Sequence, residues 1–146
     1  MQNTQFKDRV NSLLAKGNRE LSTTLGVVAR IDNNNYEIFA VQSNSGAYIP
    51  GEIYALGETF SREVFENQLP VVKNHIDNSA KTTHHPLYRS LPIECYIGAP
   101  ILVNGKPWGC VDFSSMAQRD GAFDEQDADR IKSLAAELSE LIASTG

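Results

Sequence analysis

The sequence predicts an α+β fold in which helices flank a mostly antiparallel β-sheet. Two hairpin signals support this prediction, because the polar cluster Asp32–Asn35 separates two apolar segments and Asn104-Gly105 joins two others. A third observation is an amphipathic helical pattern near each end of the chain. Strands joined by short turns pair antiparallel, so the hairpins build the sheet and both terminal helices are available to cover one of its faces.

Composition and charge exclude several classes of protein. The 146 residues suffice for one domain, and we assign residues 1–146 to it. A net charge of −5 disfavours a protein that binds nucleic acid or an anionic membrane, since such a protein needs a basic face. No apolar segment approaches the roughly 20 residues of a membrane span and no signal segment begins the chain, so we expect a cytoplasmic protein. Two cysteines are too few for a disulfide framework.

The N-terminal helix is predicted over residues 2–18, and the core of the domain over about residues 20–144. Gly17-Asn18 is a typical stop signal for such a helix. Four residues at helical spacing form its apolar stripe: Phe6, Val10, Leu13 and Leu14. The stripe can cover the domain's own sheet, or part of it can pair with a second subunit.

The C-terminal helix is predicted to begin after Asp124, which is suited to cap it and follows the apolar Phe123. Its apolar residues form a short seam at spacings of three and four: Ile131, Leu134, Leu138 and Leu141. This seam is suited either to a coiled coil with another subunit or to packing on the sheet. The terminal helices are therefore the part of the chain through which we expect a homodimer to form.

The middle of the chain is predicted to contain an extended segment at Glu52–Leu56, a helix at Gly57–Asn67 and a short edge strand at Leu69–Lys73. Residues 74–91 are polar and irregular, and a connection of this length within a compact domain is usually functional. They include all three histidines: His75, His84 and His85. Adjacent histidines in an extended loop point in different directions, and no Cys-x-x-Cys motif accompanies them, so we predict no metal site.

The C-terminal hairpin determines which side chains share a face of the sheet. A two-residue turn at Asn104-Gly105 would place Ile101 opposite Trp108. It would also place Ala99 opposite Cys110. One face would then carry Cys95, Ala99, Ile101, Trp108, Cys110 and Asp112. The other would carry Tyr96, Pro100, Leu102, Val111 and Phe113. Both faces are largely apolar, so we expect both to be covered, and a single β-bulge would reverse the assignment beyond it.

Asp112 is the least expected residue of this hairpin, because it lies between Val111 and Phe113 in a strand that should be buried. A buried carboxylate needs hydrogen-bond partners. It can be a strand-end residue that reaches water or a backbone cap, or the polar anchor of an apolar small-molecule pocket. Aromatic residues would line such a pocket, although each can equally belong to the core. The candidate ligand-binding residues are Tyr88, Tyr96, Trp108, Cys110, Asp112 and His85.

Cys95 and Cys110 are the two thiols of the chain. In the register above, Cys110 is opposite Ala99, and Cys95 lies four residues further along, about 13 Å at the rise of a strand. That separation is too large for a disulfide, so two separate buried thiols are favoured. A thiol-dependent reductase of a small oxidised metabolite is the enzymatic alternative. It would need an activating base near one thiol, and a loop histidine could supply that base. We assign no catalytic residue.

The order of these motifs resembles the GAF domain, a small sensory module of signalling proteins. The resemblance covers about residues 5–144. Seven segments carry it, in this order: Leu25–Asp32, Pro50-Gly51, Leu56-Gly57, Tyr96–Ile101, Asn104-Gly105, Trp108–Ser115, and Phe123 with Asp127.

The resemblance implies a three-layer, profilin-like α/β/α arrangement around a six-stranded antiparallel sheet. The N- and C-terminal helices would lie on one face, and residues 74–91 would roof a ligand pocket on the other. It also implies a non-enzymatic sensory module that binds a small molecule, forms a homodimer through its terminal helices and acts on a signalling output protein or domain. A dimerisation module without a ligand is a further alternative.

The specific ligand classes of this family are not matched by the sequence. Bilin-binding members attach the pigment through a Cys just before a His, whereas this chain has Thr82-Thr83-His84-His85. Members that bind cyclic nucleotides carry Asn-Lys after the last strand, where this chain has Ser114-Ser115. The branch that reduces free methionine sulfoxide has a Gly-His-Ile-x-Cys-Asp run, whereas His75-Ile76-Asp77 lacks that cysteine. The resemblance therefore leaves the ligand and any cofactor unspecified.

Overall fold

A six-stranded antiparallel sheet is the centre of the computed structural model, which describes residues 2–43, 49–74, 94–115 and 121–145. The helices are α1 (Gln2–Leu21), α2 (Ser61–Asn67) and α3 (Glu125–Thr145), with a 3₁₀ turn at Leu56–Glu58. The strands are β1 (Leu25–Asp32), β2 (Asn35–Ser43), β3 (Ile53–Ala55), β4 (Val71–Lys73), β5 (Cys95–Val103) and β6 (Lys106–Ser115). They lie in the order β3-β2-β1-β6-β5-β4, and every neighbouring pair is antiparallel. The predicted α+β architecture is confirmed.

Both predicted hairpins are present, and the conformation of their turns explains why. Asn33 and Asn34 have φ angles of 53° and 63°, and Asn104 and Gly105 have φ angles of 54° and 78°. Two consecutive left-handed residues match the twist of the strands they join, and Asn and Gly adopt this conformation most readily. Val103 pairs with Lys106 across the second turn, as expected.

The register of the β5–β6 hairpin differs from the prediction beyond the turn. A β-bulge next to Leu102 places Ile101 opposite Gly109, so Trp108 has no direct partner on β5. Pro107 has no N–H to donate to the ladder, and the irregularity falls beside it. Every pair beyond the bulge is shifted by one residue, and Ala99 is opposite Val111 instead of Cys110.

The shift reverses the predicted faces for the far part of β6. Cys110 and Asp112 share a face with Tyr96, and the prediction that they share one with Cys95, Ala99, Ile101 and Trp108 is wrong. The other four lie on the opposite side of the sheet with Val111 and Phe113.

The first face of the sheet is the one covered by α1 and α3. The predicted placement of both terminal helices on one face is therefore confirmed. The apolar seam of α3 is buried or half-buried against this core, so it packs on the domain's own sheet: Ile131, Leu134, Leu138 and Leu141. Asp124 caps α3 as predicted, because its Oδ1 accepts the N–H of Asp127 at 2.9 Å.

The helix α1 extends to Leu21, beyond the end predicted at residue 18. Gly17 lies inside the helix and against the ring of Phe113, where a Cβ would come within 2.2 Å of Cζ. This glycine therefore permits close packing of the helix on the sheet and does not end it. Leu21, fully buried, closes the last turn.

The second face, opposite the terminal helices, is covered within the described residues by α2 and the 3₁₀ turn. The predicted helix at 57–67 is divided into these two parts at Thr59, because the backbone of this residue is extended, with φ of −113° and ψ of 157°. The hydroxyl of Thr59 donates to the carbonyl of Leu56 at 2.8 Å. The predicted strands at 52–56 and 69–73 correspond to the shorter β3 and β4. None of the helices in the described ranges has the length and apolar composition needed to cross a bilayer.

Gly17→Ala is expected to lower the free energy of unfolding by about 1–3 kcal/mol, because the new methyl group overlaps the Phe113 ring. In an unobstructed helix interior the same change would stabilise by roughly 0.5–1 kcal/mol. Urea denaturation measures the difference. Gly57→Ala is the control, since a Cβ at that position meets no atom within 4 Å. A Gly17→Ala variant as stable as the wild type would contradict the proposed packing.

Candidate ligand-binding site

A buried carboxylate occupies the second face beneath α2. Asp112 of β6 is 5 % exposed and accepts hydrogen bonds from three hydroxyl groups on three other elements. Its Oδ2 accepts from Tyr36 Oη of β2 at 2.9 Å and from Ser61 Oγ of α2 at 2.8 Å. Its Oδ1 accepts from Tyr96 Oη of β5 at 2.5 Å. We call these four residues the Asp112 cluster, and all four are buried.

Gly98 provides the space in which Tyr96 meets Asp112. It is paired with Asp112 across the β5–β6 ladder. A Cβ on Gly98 would lie 2.4 Å from Tyr96 Oη and 2.7 Å from Asp112 Oδ1. Any side chain at this position would therefore displace the phenol from the carboxylate.

The environment of Asp112 makes its ionised form less favourable than it is in water. Burial raises the pKa of this carboxyl, although the hydrogen bonds from Tyr96, Ser61 and Tyr36 act in the opposite direction. No basic side chain among the described residues forms an ion pair with it. Among the described residues, three hydroxyl donors replace the lost water, so the site combines a buried carboxyl group, low polarity and convergent hydrogen-bonding groups.

The two thiols are buried and no disulfide joins them, as the sequence predicts, but they lie on opposite faces of the sheet and not on the same one. Cys110 belongs to the second face, with its Sγ 3.9 Å from the carbonyl oxygen of Ser61. Burial and the nearby Asp112 raise the pKa of Cys110 well above its ordinary value. A raised pKa disfavours the thiolate, which is the nucleophilic form.

The structure brings together three of the six predicted ligand-binding residues: Tyr96, Cys110 and Asp112. It places Trp108 on the first face, where its ring stands edge-on to Phe39 with 5.3 Å between the ring centres. Trp108 therefore cannot line a pocket together with the Asp112 cluster. His85 and Tyr88, like His75 and His84, lie outside the described residues.

Tyr36, Ser61 and Gly98 belong to the site but are not among the residues predicted from the sequence. Tyr36 begins the alternating pattern of β2, which could have marked it as buried. Ser61 is a small polar residue in a short helix and carries no distinguishing local signal. Phe60 also contributes, since its ring lies 5.4 Å from that of Tyr96.

The model of the GAF domain family matches residues 4–143, so the chain belongs to the GAF domain family. None of the curated proteins compared with this chain matches it.

Solved structures of GAF domains share the fold. The PixJ GAF domain of Thermosynechococcus elongatus, in its blue-light absorbing form, is 15 % identical with a TM-score of 0.77, over 99 % of this chain and 88 % of that one. The GAF domain of an Acinetobacter phosphoenolpyruvate-protein phosphotransferase is 15 % identical with a TM-score of 0.76, over 96 % and 83 %. A phycocyanobilin-bound GAF domain from a cyanobacterial phytochrome is 12 % identical with a TM-score of 0.74, over 96 % and 85 %.

Asp112 is expected to make the free energy of unfolding decrease as pH rises. Because its pKa is raised on folding, the folded state binds this proton more tightly than the unfolded state. Its contribution is therefore most favourable below the ordinary pKa and falls as pH rises through the interval up to the raised pKa. Urea denaturation of the wild type and of Asp112→Asn at a series of pH values measures this effect. The free energy of unfolding of the wild type, minus that of the variant, should decrease as pH rises.

Asp124 supplies a control of opposite sign. Its pKa is lowered, chiefly by the hydrogen bond from the Asp127 backbone, so its stabilisation is lost as pH falls. The free energy of unfolding of the wild type, minus that of Asp124→Asn, should therefore increase as pH rises. A pH-independent difference for Asp112→Asn would contradict the assigned environment of Asp112.

Proposed function

We propose that this GAF domain is a sensory module that binds a small organic molecule on its second face. The observation that carries the proposal is the Asp112 cluster, in which a buried carboxylate and three hydroxyl groups converge within an otherwise apolar core. Small-molecule sites typically combine apolar walls with a few placed polar groups. Titratable groups with shifted pKa values also concentrate at functional sites.

The chemistry of the cluster suggests how a ligand would be held. A carboxylate has about four acceptor positions, and the three hydroxyl groups use three of them. A ligand with an apolar body and an N–H or O–H donor would complement this group and the neighbouring aromatic rings. A relative of the same fold holds phycocyanobilin, which supports the use of this architecture for an organic ligand.

The proposed role is non-enzymatic, and the state of the two thiols, Cys95 and Cys110, supports this part of the proposal. Both thiols are buried, and the raised pKa of Cys110 opposes thiolate formation. The thiol-dependent reductase is therefore the less favoured alternative.

Native mass spectrometry of the purified chain tests ligand binding, with a denatured sample as reference. We expect additional mass on the folded wild type that is lost on denaturation. Tyr96→Phe and Asp112→Asn should lower the bound fraction, because each weakens the group that anchors the ligand. The loss of one charged hydrogen bond lowers the affinity by about tenfold. Tyr54→Phe is the matched control, since Tyr54 lies outside the cluster and is only half-buried.

A wild-type chain without added mass, whose melting temperature also does not change in a metabolite extract, would contradict the proposed ligand binding. That result would favour the ligand-free dimerisation module.

We further propose that two copies associate through the outer surfaces of α1 and α3, and that α3 passes the signal to an output protein or domain. Because the apolar seam of α3 is used within the domain, the contact would involve the surface cleft between these helices, whose volume is about 730 Å³. The α1 side of the cleft is mainly basic and the α3 side is acidic: Arg9, Lys16 and Arg19 against Glu137 and Glu140. The α1 helix of one copy is thus complementary in charge to the α3 helix of another.

Sedimentation equilibrium measures the association. Reversal of charge in Glu137→Lys/Glu140→Lys is expected to weaken the dimer about tenfold or more, and adding Arg9→Glu/Arg19→Glu should restore it. Lys132→Glu is the control, because Lys132 is exposed on α3 but does not line the cleft. A dimer with a Kd of about 1 µM is almost fully formed at about 100 times that concentration. A wild type that stays monomeric at this concentration would reject the interface.

A further inference from the structure

The α2–β4 unit, residues 61–73, begins at the Asp112 cluster. The hydroxyl of Ser61 holds the first turn of α2 on Asp112 at 2.8 Å, and its backbone carbonyl lies 3.9 Å from Cys110 Sγ. Ser61 is completely buried. The position of α2 above the sheet is therefore determined in part by the carboxylate.

The two parts of this unit are tied together by a short link and by side chains. Gln68 ends α2 in a left-handed conformation with φ of 53°, and Pro70, whose φ is fixed, leads into β4. Lys73 of β4 lies 3.4 Å from Glu63 Oε1 and 5.6 Å from the centre of the Phe60 ring. A displacement of α2 would therefore be passed to β4.

The far end of the unit is bonded to the start of α3. Asn74 directly follows β4, and its Oδ1 accepts the N–H of Phe123 at 2.7 Å. Phe123 is buried in the first-face core and directly precedes the capping residue Asp124. Asp124 and Asp127 exchange reciprocal hydrogen bonds at 3.0 and 2.9 Å, so the first turn of α3 is built on this point.

The strand β4 is the part of this route that can be displaced at least cost. It is the last strand of the sheet and pairs with β5 over three residues, Val71–Lys73. A short edge strand is held by few ladder hydrogen bonds, so its local opening requires less free energy than that of the central strands.

We propose that the α2–β4 unit couples the Asp112 cluster to the N-terminus of α3 through the Asn74–Phe123 hydrogen bond. A change at the cluster that moves Ser61 would then alter the restraint on the first turn of α3. The biological purpose of this coupling rests on the proposed function, because the ligand would cause the change. The coupling itself is a property of the protein without ligand and is tested in that state.

Hydrogen exchange of the full chain, followed by NMR at each amide, tests the coupling. Asn74→Ala removes the acceptor for the Phe123 N–H and should speed exchange at Phe123 and Asp127 about threefold or more. Ser61→Ala should have a similar effect on the same amides while Asn74 is present. In the Asn74→Ala background it should add nothing, because the route is already broken. The amide of Val28, in the central strand β1, reports global stability.

Additive effects of the two substitutions would overturn the proposal, and so would an equal acceleration at Val28, which indicates global destabilisation. If Ser61→Ala does not fold, Lys73→Gln interrupts the same route at a partly exposed side chain. Lys106→Gln is its matched control, since Lys106 is exposed on β6 and outside the unit. Because no ligand is added, a negative result in the ligand-binding experiment leaves this test of the coupling unaffected.

Discussion

The carboxylate of Asp112 loses its water when β6 is buried, and other hydrogen-bond donors must replace that water if the fold is to form. Three elements distant in sequence provide them: β2 through Tyr36, α2 through Ser61, and β5 through Tyr96. Each hydroxyl has to reach the same two oxygen atoms, so the carboxylate fixes the relative positions of these elements. Gly98 is part of the same requirement, since a side chain there would separate Tyr96 from Asp112.

The two faces of the sheet differ in physical character. The first-face core is apolar, and its helices approach the sheet closely because Gly17 leaves room for Phe113. The second face combines apolar side chains with a buried carboxylate and its donors. Apolar burial stabilises without strong directional demands, whereas buried polar groups require a defined geometry. The domain thus separates its main stabilising core from the face that carries the candidate site.

Membership of the GAF family accounts for the backbone and leaves the chemistry of the site to individual residues. The solved GAF domains described above are only 12 to 15 % identical to this chain, and only one of the three is described as bilin-bound. The same fold can therefore present different groups. In this chain the candidate chemistry lies in Asp112 and its hydroxyl donors, and the proposed coupling depends on Ser61 and Asn74.

Local physical chemistry made both hairpins and the cap of α3 predictable, because turn and capping residues act on their immediate neighbours. Asp112 could also be identified from the sequence, since a charge within an apolar strand is costly. Two of its three partners could not, because Tyr36 and Ser61 are 76 and 51 residues away and have no local signal of their contact. The bulge beside Leu102 likewise decided that Cys110 and Asp112 lie on the face opposite Trp108. The sequence by itself thus determined the strands, the turns and the amphipathic helices, whereas the tertiary structure decided the register and the composition of the site. The physical reason is that periodicity describes neighbours along the chain, while contacts between distant segments form only when the sheet and its covering layers pack together.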